Sequence, residues 1–118
     1  MRSILLTSVV LFLNIGCSQI KEKHITEVAR TELDSILLVD VRTPKEYNAG
    51  HLENARNIDW MGDSFISEFE KIGKDETIYL YCRSGKRSAN ATKYLGSLGY
   101  NKVFNLKGGY IAYKAAKE

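Results

Sequence analysis

The sequence has few cysteines, no long apolar run and no strong excess of charge of either sign. Only Cys17 and Cys82 are cysteines among 118 residues, which excludes a framework of several disulfides. The most apolar stretch, residues 4–15, is shorter than the roughly 18 residues that a membrane-spanning helix needs. The formal net charge is +3, without a basic run, so we predict no nucleic-acid binding. Hydrophobic residues make up 44% and charged residues 26%, which is typical of one globular domain.

The N-terminus has the layout of an export signal. A basic start at Arg2 precedes the apolar stretch, which has the proportions of a secretory signal peptide. Gly16-Cys17 then resembles the lipobox of bacterial lipoproteins, although Asn14 stands where that family usually has an aliphatic residue. We therefore expect a lipoprotein-type signal peptide over residues 1–16, lipidation of Cys17, and a polar tether over residues 17–24. The protein would be exported and lipid-anchored to a membrane of the bacterial cell envelope, on its periplasmic or surface side. A plain signal peptide and an uncleaved anchor are the alternatives.

Short apolar runs alternate with helical patterns over the rest of the chain. This alternation predicts an α/β fold with a parallel sheet. We predict strands at residues 36–41, 57–58, 77–81 and 102–106. We predict helices at residues 26–33, 43–50, 63–73, 88–98 and 110–117, the second of them starting with a capping box and a proline at its first position.

The segment after the third predicted strand carries the strongest chemical signal. Cys82 ends an apolar strand and opens a loop with three cations, Arg83, Lys86 and Arg87, before the next helix. Nearby cations and a helix N-terminus lower the pKa of a thiol, and the thiolate is the nucleophilic form. The backbone amides of the loop, with Ser84 and Gly85, can surround an anion. Cys82 is therefore the candidate nucleophile; the alternative is a buried structural cysteine followed by a basic turn.

Several separated motifs resemble those of the single-domain rhodaneses. In chain order they are Asp40-Val41-Arg42, Glu46-Tyr47, Gly50-His51-Leu52, Ala55, Asn57-Ile58, Cys82-Arg83-Ser84-Gly85-Lys86-Arg87-Ser88, Leu98-Gly99-Tyr100 and Leu106-Lys107-Gly108-Gly109. The resemblance implies a rhodanese-like domain over residues 25–118, with a parallel five-stranded sheet flanked by helices on both faces.

The resemblance also implies an activity. Cys82 would take the outer sulfur of thiosulfate or a similar anionic donor as a persulfide and pass it to cyanide or a thiol. Arg83, Ser84, Gly85, Lys86 and Arg87 would bind the substrate. Asp40 and Arg42 would have structural roles near the site.

Two other functions remain open. A cysteine-based phosphatase or arsenate reductase is the rival, but such enzymes have five residues between cysteine and arginine, whereas Cys82 and Arg87 have four between them. A persulfide carrier or a binding module without high turnover is the other alternative. His24 and His51 have no partner at metal-ligand spacing, so we predict no metal. We also expect no other cofactor and a monomeric protein.

Overall fold

A computed structural model of the chain describes residues 19–118, so the predicted signal peptide and Cys17 lie outside the described residues. The strands are β1 (Lys21–His24), β2 (Leu37–Asp40), β3 (Arg56–Asn57), β4 (Ile78–Tyr81) and β5 (Val103–Lys107). The helices are α1 (Arg30–Asp34), α2 (Pro44–Ala49), α3 (Phe65–Glu70), α4 (Lys86–Ser97) and α5 (Gly109–Lys117), with a short 3₁₀ turn at Ile25–Glu27.

The five strands form one sheet in the order β1-β5-β4-β2-β3. All neighbouring strands are parallel, which confirms the predicted parallel five-stranded sheet. The continuous apolar character of β4 follows from its central place, because a central parallel strand is covered on both faces. All four of its residues are buried.

Successive side chains of a strand point to opposite sides, so both faces of the sheet carry apolar side chains. Helices cover both faces. On one face Val39 and Leu80 pack with Ala91 and Leu95 of α4 and with residues of α3. On the other face Leu38, Tyr79 and Tyr81 form a second core with Ile25 and Leu33, and residues of α5 pack against it. The predicted α/β class with helices on both faces is confirmed.

The predicted tether over residues 17–24 needs a correction, because Lys21–His24 forms strand β1. This segment pairs with β5 in parallel register, with Glu22 opposite Asn105. Strand pairing uses backbone groups, so a sequence of charged residues can join the sheet at its edge. The ammonium groups of Lys21 and Lys23 lie 5.7 and 5.4 Å from the centre of the Phe104 ring, and charged side chains of this kind are common on edge strands.

Three predicted helices also differ from the structure in their bounds; one of them, predicted at residues 63–73, is α3 at Phe65–Glu70. The helix predicted at residues 26–33 is a 3₁₀ turn followed by α1, because Val28 and Ala29 have extended backbone. Helix α4 begins at Lys86 rather than at residue 88. The capping box of α2 is confirmed: the Thr43 hydroxyl accepts from the amide of Glu46, and the Glu46 carboxylate accepts from the amide of Thr43.

Candidate active site

Cys82 lies directly after β4, at the edge of the sheet where the parallel strands end. This edge is where open α/β sheets usually bind ligands. The chain then turns through residues 83–85 into α4, whose N-terminus faces back towards the sulfur. Cys82 is 1% exposed, so the thiol is held inside the loop. Asp40, at the end of the neighbouring strand β2, is also fully buried.

Three donors point at the Cys82 sulfur. The backbone N–H of Gly85 lies 3.1 Å from Sγ, that of Ser88 lies 3.4 Å away, and the Ser88 hydroxyl lies 3.3 Å away. Burial by itself raises the pKa of the Cys82 thiol, but the Ser88 hydroxyl and the amides of Ser88 and Gly85, with a smaller effect of the nearby Ser84 amide, outweigh it. The net result is a lowered pKa, because these donors favour the thiolate. The loop thus favours the thiolate form of Cys82, which is the nucleophilic form of a thiol.

Gly85 makes this cradle possible. Its φ of +99° lies in the left-handed region, which glycine enters without the strain that other residues meet. A Cβ at this position would also come within 3.3 Å of the amide nitrogen of Gly108. The loop can therefore turn its amides inward within three residues of the cysteine.

The start of α5 holds the loop from the other side. The amide of Tyr110 donates to the carbonyl of Cys82 at 2.8 Å, and the amide of Ile111 donates to the carbonyl of Arg83 at 3.1 Å. A Cβ on Gly109 would lie 2.5 Å from the Arg83 oxygen and 2.6 Å from the Cys82 oxygen. Close approach of the two backbones is what requires glycine here, and the Gly108-Gly109 turn thereby becomes part of the site.

The three cations of the loop have different surroundings. Arg83 and Lys86 are exposed, as is Ser84. Arg87 is half-buried and donates two hydrogen bonds to the Glu46 carboxylate, at 2.6 and 2.8 Å. The hydrogen bond from Arg87 holds the pKa of Glu46 at about 2, well below its ordinary value. The charge of Arg87 is therefore balanced within the protein, whereas Arg83 and Lys86 face solvent.

Asp40 and Arg42 form a buried ion pair beside the loop. Nη2 of Arg42 lies 2.6 Å from a carboxylate oxygen of Asp40 and donates to the carbonyl of Gly50, also at 2.6 Å. The guanidinium lies 4.3 Å from the centre of the Tyr110 ring. Both charges are thus satisfied by protein partners, and the pair joins β2, the end of α2 and the start of α5.

Sequence reasoning missed the Ser88 hydroxyl and the Glu46 carboxylate as parts of this site. Ser88 supplies two of the three donors to the sulfur, and its signal was a small hydroxyl residue at the end of the cationic loop. Glu46 faces Arg87 across the site, although its capping box had indicated only a local role. Its distance of 41 positions from Arg87 along the chain left no signal for the contact.

Two general features of residues 19–118 bear on function. Histidine, cysteine, aspartate and glutamate side chains form no group of three that could hold a metal ion in this part of the chain. Over the same residues, the helices are too short or too polar to cross a membrane.

The comparisons with known proteins agree on one family. A model of the rhodanese-like domain matches residues 26–116. A sulfurtransferase from Allochromatium vinosum is 39% identical over 82 residues, covering 70% of this chain and 75% of that protein. The thiosulfate sulfurtransferase GlpE of Tolumonas auensis is 30% identical over 86 residues, covering 73% of this chain and 79% of that protein. The crystal structure of a rhodanese-like domain protein from Staphylococcus aureus has a TM-score of 0.69 and 32% identity, covering 79% of this chain and 90% of that chain. The chain therefore belongs to the rhodanese-like family.

Proposed function

We propose that this protein is a sulfurtransferase that moves sulfane sulfur from thiosulfate, or a similar anionic donor, to cyanide or a thiol. The observation that carries the proposal is the Cys82 sulfur, which sits in a ring of three N–H and O–H donors. Such donors stabilise a negatively charged sulfur, which is needed both for the attacking thiolate and for the persulfide that follows. The names of the two similar sulfurtransferases support the same reaction.

The proposed reaction has two steps, each of which transfers one sulfur atom. In the first, the Cys82 thiolate attacks the outer sulfur of thiosulfate; the new S–S bond forms, the sulfur–sulfur bond of the donor breaks, and sulfite leaves with the electron pair. In the second, cyanide or a thiolate attacks the terminal sulfur of the persulfide, which gives thiocyanate or a new persulfide and returns the Cys82 thiolate. No cofactor is needed, because each step breaks one S–S bond and forms one new S–S or C–S bond.

The residues of the loop would have different roles in binding the sulfur donor. The exposed Arg83 and Lys86 would attract the anionic donor, because within residues 19–118 no carboxylate forms a salt bridge with either of them as Glu46 does with Arg87. The amides of Ser84 and Gly85 would approach the transferred sulfur. Arg87 would hold the loop through Glu46 and add positive potential near the sulfur. The buried pair of Asp40 and Arg42 would act as structural support.

The rival phosphatase or arsenate reductase activity receives less support from the site. Its chemistry needs an arginine that clamps a tetrahedral oxyanion, but the guanidinium of Arg87 is engaged by both oxygens of Glu46. The sequence also argues against this activity, because four residues separate Cys82 from Arg87 instead of five.

The test uses the full chain with Cys17→Ala, so that Cys82 is the only thiol. Incubation with thiosulfate should add one sulfur atom in the intact mass, and cyanide should then remove it as thiocyanate. Cys82→Ser in the same background is the matched control and should do neither. An unchanged mass in the Cys17→Ala protein, or turnover of an aryl phosphate that depends on Cys82, would reject the proposal. A stable added sulfur with no catalytic turnover would assign the role of a persulfide carrier instead.

We further propose that Cys17 is lipidated and anchors the exported protein to a membrane. The support is the sequence at residues 1–17 alone. The wild-type chain should fractionate with membranes, and Cys17→Ala should be released, while Cys82→Ser should fractionate as the wild type does. Membrane association that survives Cys17→Ala would contradict lipid anchoring.

A further inference from the structure

Asn105 of β5 is a buried polar residue beside the catalytic loop. It is 1% exposed, and its side-chain oxygen, Oδ1, has no hydrogen-bond partner among residues 19–118. Its amide nitrogen, Nδ2, lies 2.9 Å from a carboxylate oxygen of Glu22 and 3.3 Å from the carbonyl oxygen of Gly85. A buried acceptor without a partner costs stability and calls for an explanation.

The strand register places these groups on one face of the sheet. Asn105 pairs with Glu22 of β1 on one side and with Leu80 of β4 on the other. Cys82 follows Leu80 by two positions, so its side chain points to the same face. The Asn105 amide therefore lies between the edge strand and the loop that holds the reactive sulfur.

The partners also fix the orientation of the Asn105 amide. Glu22 and Gly85 both offer acceptor oxygens, so only the NH₂ group can face them. The opposite orientation would set Oδ1 against two other oxygens. The Glu22 carboxylate thus keeps one N–H of Asn105 directed at the edge strand and leaves the other for Gly85.

Gly85 in turn is held at both ends. Its carbonyl accepts from Asn105 and from the amide of Ala89, at 3.3 and 3.1 Å. Its amide donates to the Cys82 sulfur at 3.1 Å. Glycine has a wide range of allowed backbone angles, so a bond to the Gly85 carbonyl limits how far the residue can rotate.

We propose that Asn105 is a positioning residue for Cys82, which fixes Gly85 so that its amide stays directed at the sulfur, and that Glu22 sets the orientation of the Asn105 amide. The inference rests on the proposed function insofar as Cys82 is taken as the reacting group. It gives the edge strand β1 a part in the chemistry, although β1 contributes no group to the sulfur itself. It also explains why an apolar residue does not occupy this buried position of β5.

The test measures the thiol directly and needs no sulfur transfer. In the full chain with Cys17→Ala, the rate of Cys82 alkylation by iodoacetamide is followed against pH, and its midpoint gives the thiol pKa. Asn105→Val, a substitution that suits a strand, should raise the midpoint by about one pH unit, because one donor to the thiolate is no longer held in place. Thermal unfolding of the same variant should show little loss of stability. Two hydrogen bonds are lost, but the Gly85 carbonyl keeps its bond from Ala89, Glu22 is exposed to water, and an unpaired buried acceptor is removed.

A pair of surface variants tests the part of Glu22. Glu22→Leu removes the acceptor and should raise the midpoint, whereas Glu22→Gln keeps an acceptor oxygen and should leave it close to that of the parent. Simple charge removal predicts the opposite sign, because loss of a nearby carboxylate favours the thiolate and lowers the midpoint.

The outcomes separate this inference from the proposed function. Alkylation midpoints that stay unchanged in both Asn105→Val and Glu22→Leu overturn the inference. A raised midpoint in Asn105→Val together with a clearly lower melting temperature also overturns it. A rise in Asn105→Val alone overturns the part assigned to Glu22. If Asn105→Val does not fold, the exposed Glu22 pair decides. A wild-type chain that takes no sulfur from thiosulfate would reject the proposed function, yet these midpoints would still measure the positioning.

Discussion

Replacing Glu46 by glutamine removes the partner of Arg87 while keeping the size of the side chain. The carboxylate accepts two hydrogen bonds from Arg87 and also closes the capping box with Thr43. Glutamine retains one acceptor oxygen, which can still receive the Thr43 amide. The substitution therefore tests the ion pair across the site more than the cap of α2.

The size of the effect follows from the pKa of Glu46, which the folded protein lowers from an ordinary value of 4.5 to about 2. If the unfolded chain has the ordinary value, this difference corresponds to at most ~3 kcal/mol of stability at neutral pH. The side chains of Arg87 and Glu46 are 24% and 28% exposed, and solvent screening reduces the value. We expect Glu46→Gln to lose about 1–2 kcal/mol at neutral pH.

The sign of the pH dependence is fixed by the lowered pKa. A carboxylate whose pKa falls on folding stabilises the protein fully above its unfolded value of 4.5, and this stabilisation is lost as the pH drops towards 2. Urea unfolding of wild type and variant should therefore differ most near pH ~7, and the difference should fall to about half or less near pH ~3.

Glu68→Gln is the matched control, since it breaks an exposed pair with Lys71, and exposed pairs contribute little. It should unfold as the wild type does. A difference between wild type and Glu46→Gln that is the same at both pH values, or no larger than that of the control, would refute the reasoning.

Ser88→Ala removes a hydroxyl donor from the sulfur and should raise the alkylation midpoint of Cys82 by about one pH unit; an unchanged midpoint would show that the hydroxyl is not needed. Gly109→Ala, whose Cβ would lie 2.5 and 2.6 Å from two loop carbonyl oxygens, should lower stability by more than about 2 kcal/mol and slow alkylation. Gly96→Ala is its control, because an added Cβ there meets nothing within 4 Å, and it should unfold at or above the wild-type temperature. Deletion of residues 19–24 removes edge strand β1 and should lower the melting temperature relative to residues 19–118; equal melting temperatures would show that β1 is only a tether.

The elements that the sequence predicted well are those with strong local signals. The apolar run of β4, the proline and capping box of α2, and the loop after Cys82 can all be read from neighbouring residues. The order of their motifs also indicated the fold. Strand β1 was missed because Lys21–His24 has no apolar pattern, and it joins the sheet through backbone pairing with β5.

In the site, too, the features with a local sequence signal were predicted and the contacts between distant residues were not. The sequence indicated Cys82 as the nucleophile, attributed its lowered thiol pKa to three nearby cations and a helix N-terminus, and predicted that the loop amides can surround an anion. In the structure, the groups that contact the sulfur are two amides and the Ser88 hydroxyl, while Arg87 is paired with Glu46. Local sequence states which residues are near one another along the chain, but it does not state which direction each side chain takes.

By itself, the sequence determined the α/β class, the place of Cys82 at the end of a strand, and the presence of a short cationic loop after it. These properties depend on residues within a few positions of each other. Only the tertiary structure decided that Glu46 neutralises Arg87, that Gly109 presses against the loop, and that Asn105 connects Glu22 to Gly85. Each of these contacts joins groups that are distant along the chain, and it forms only when the parallel strands bring their carboxyl ends to one edge of the sheet.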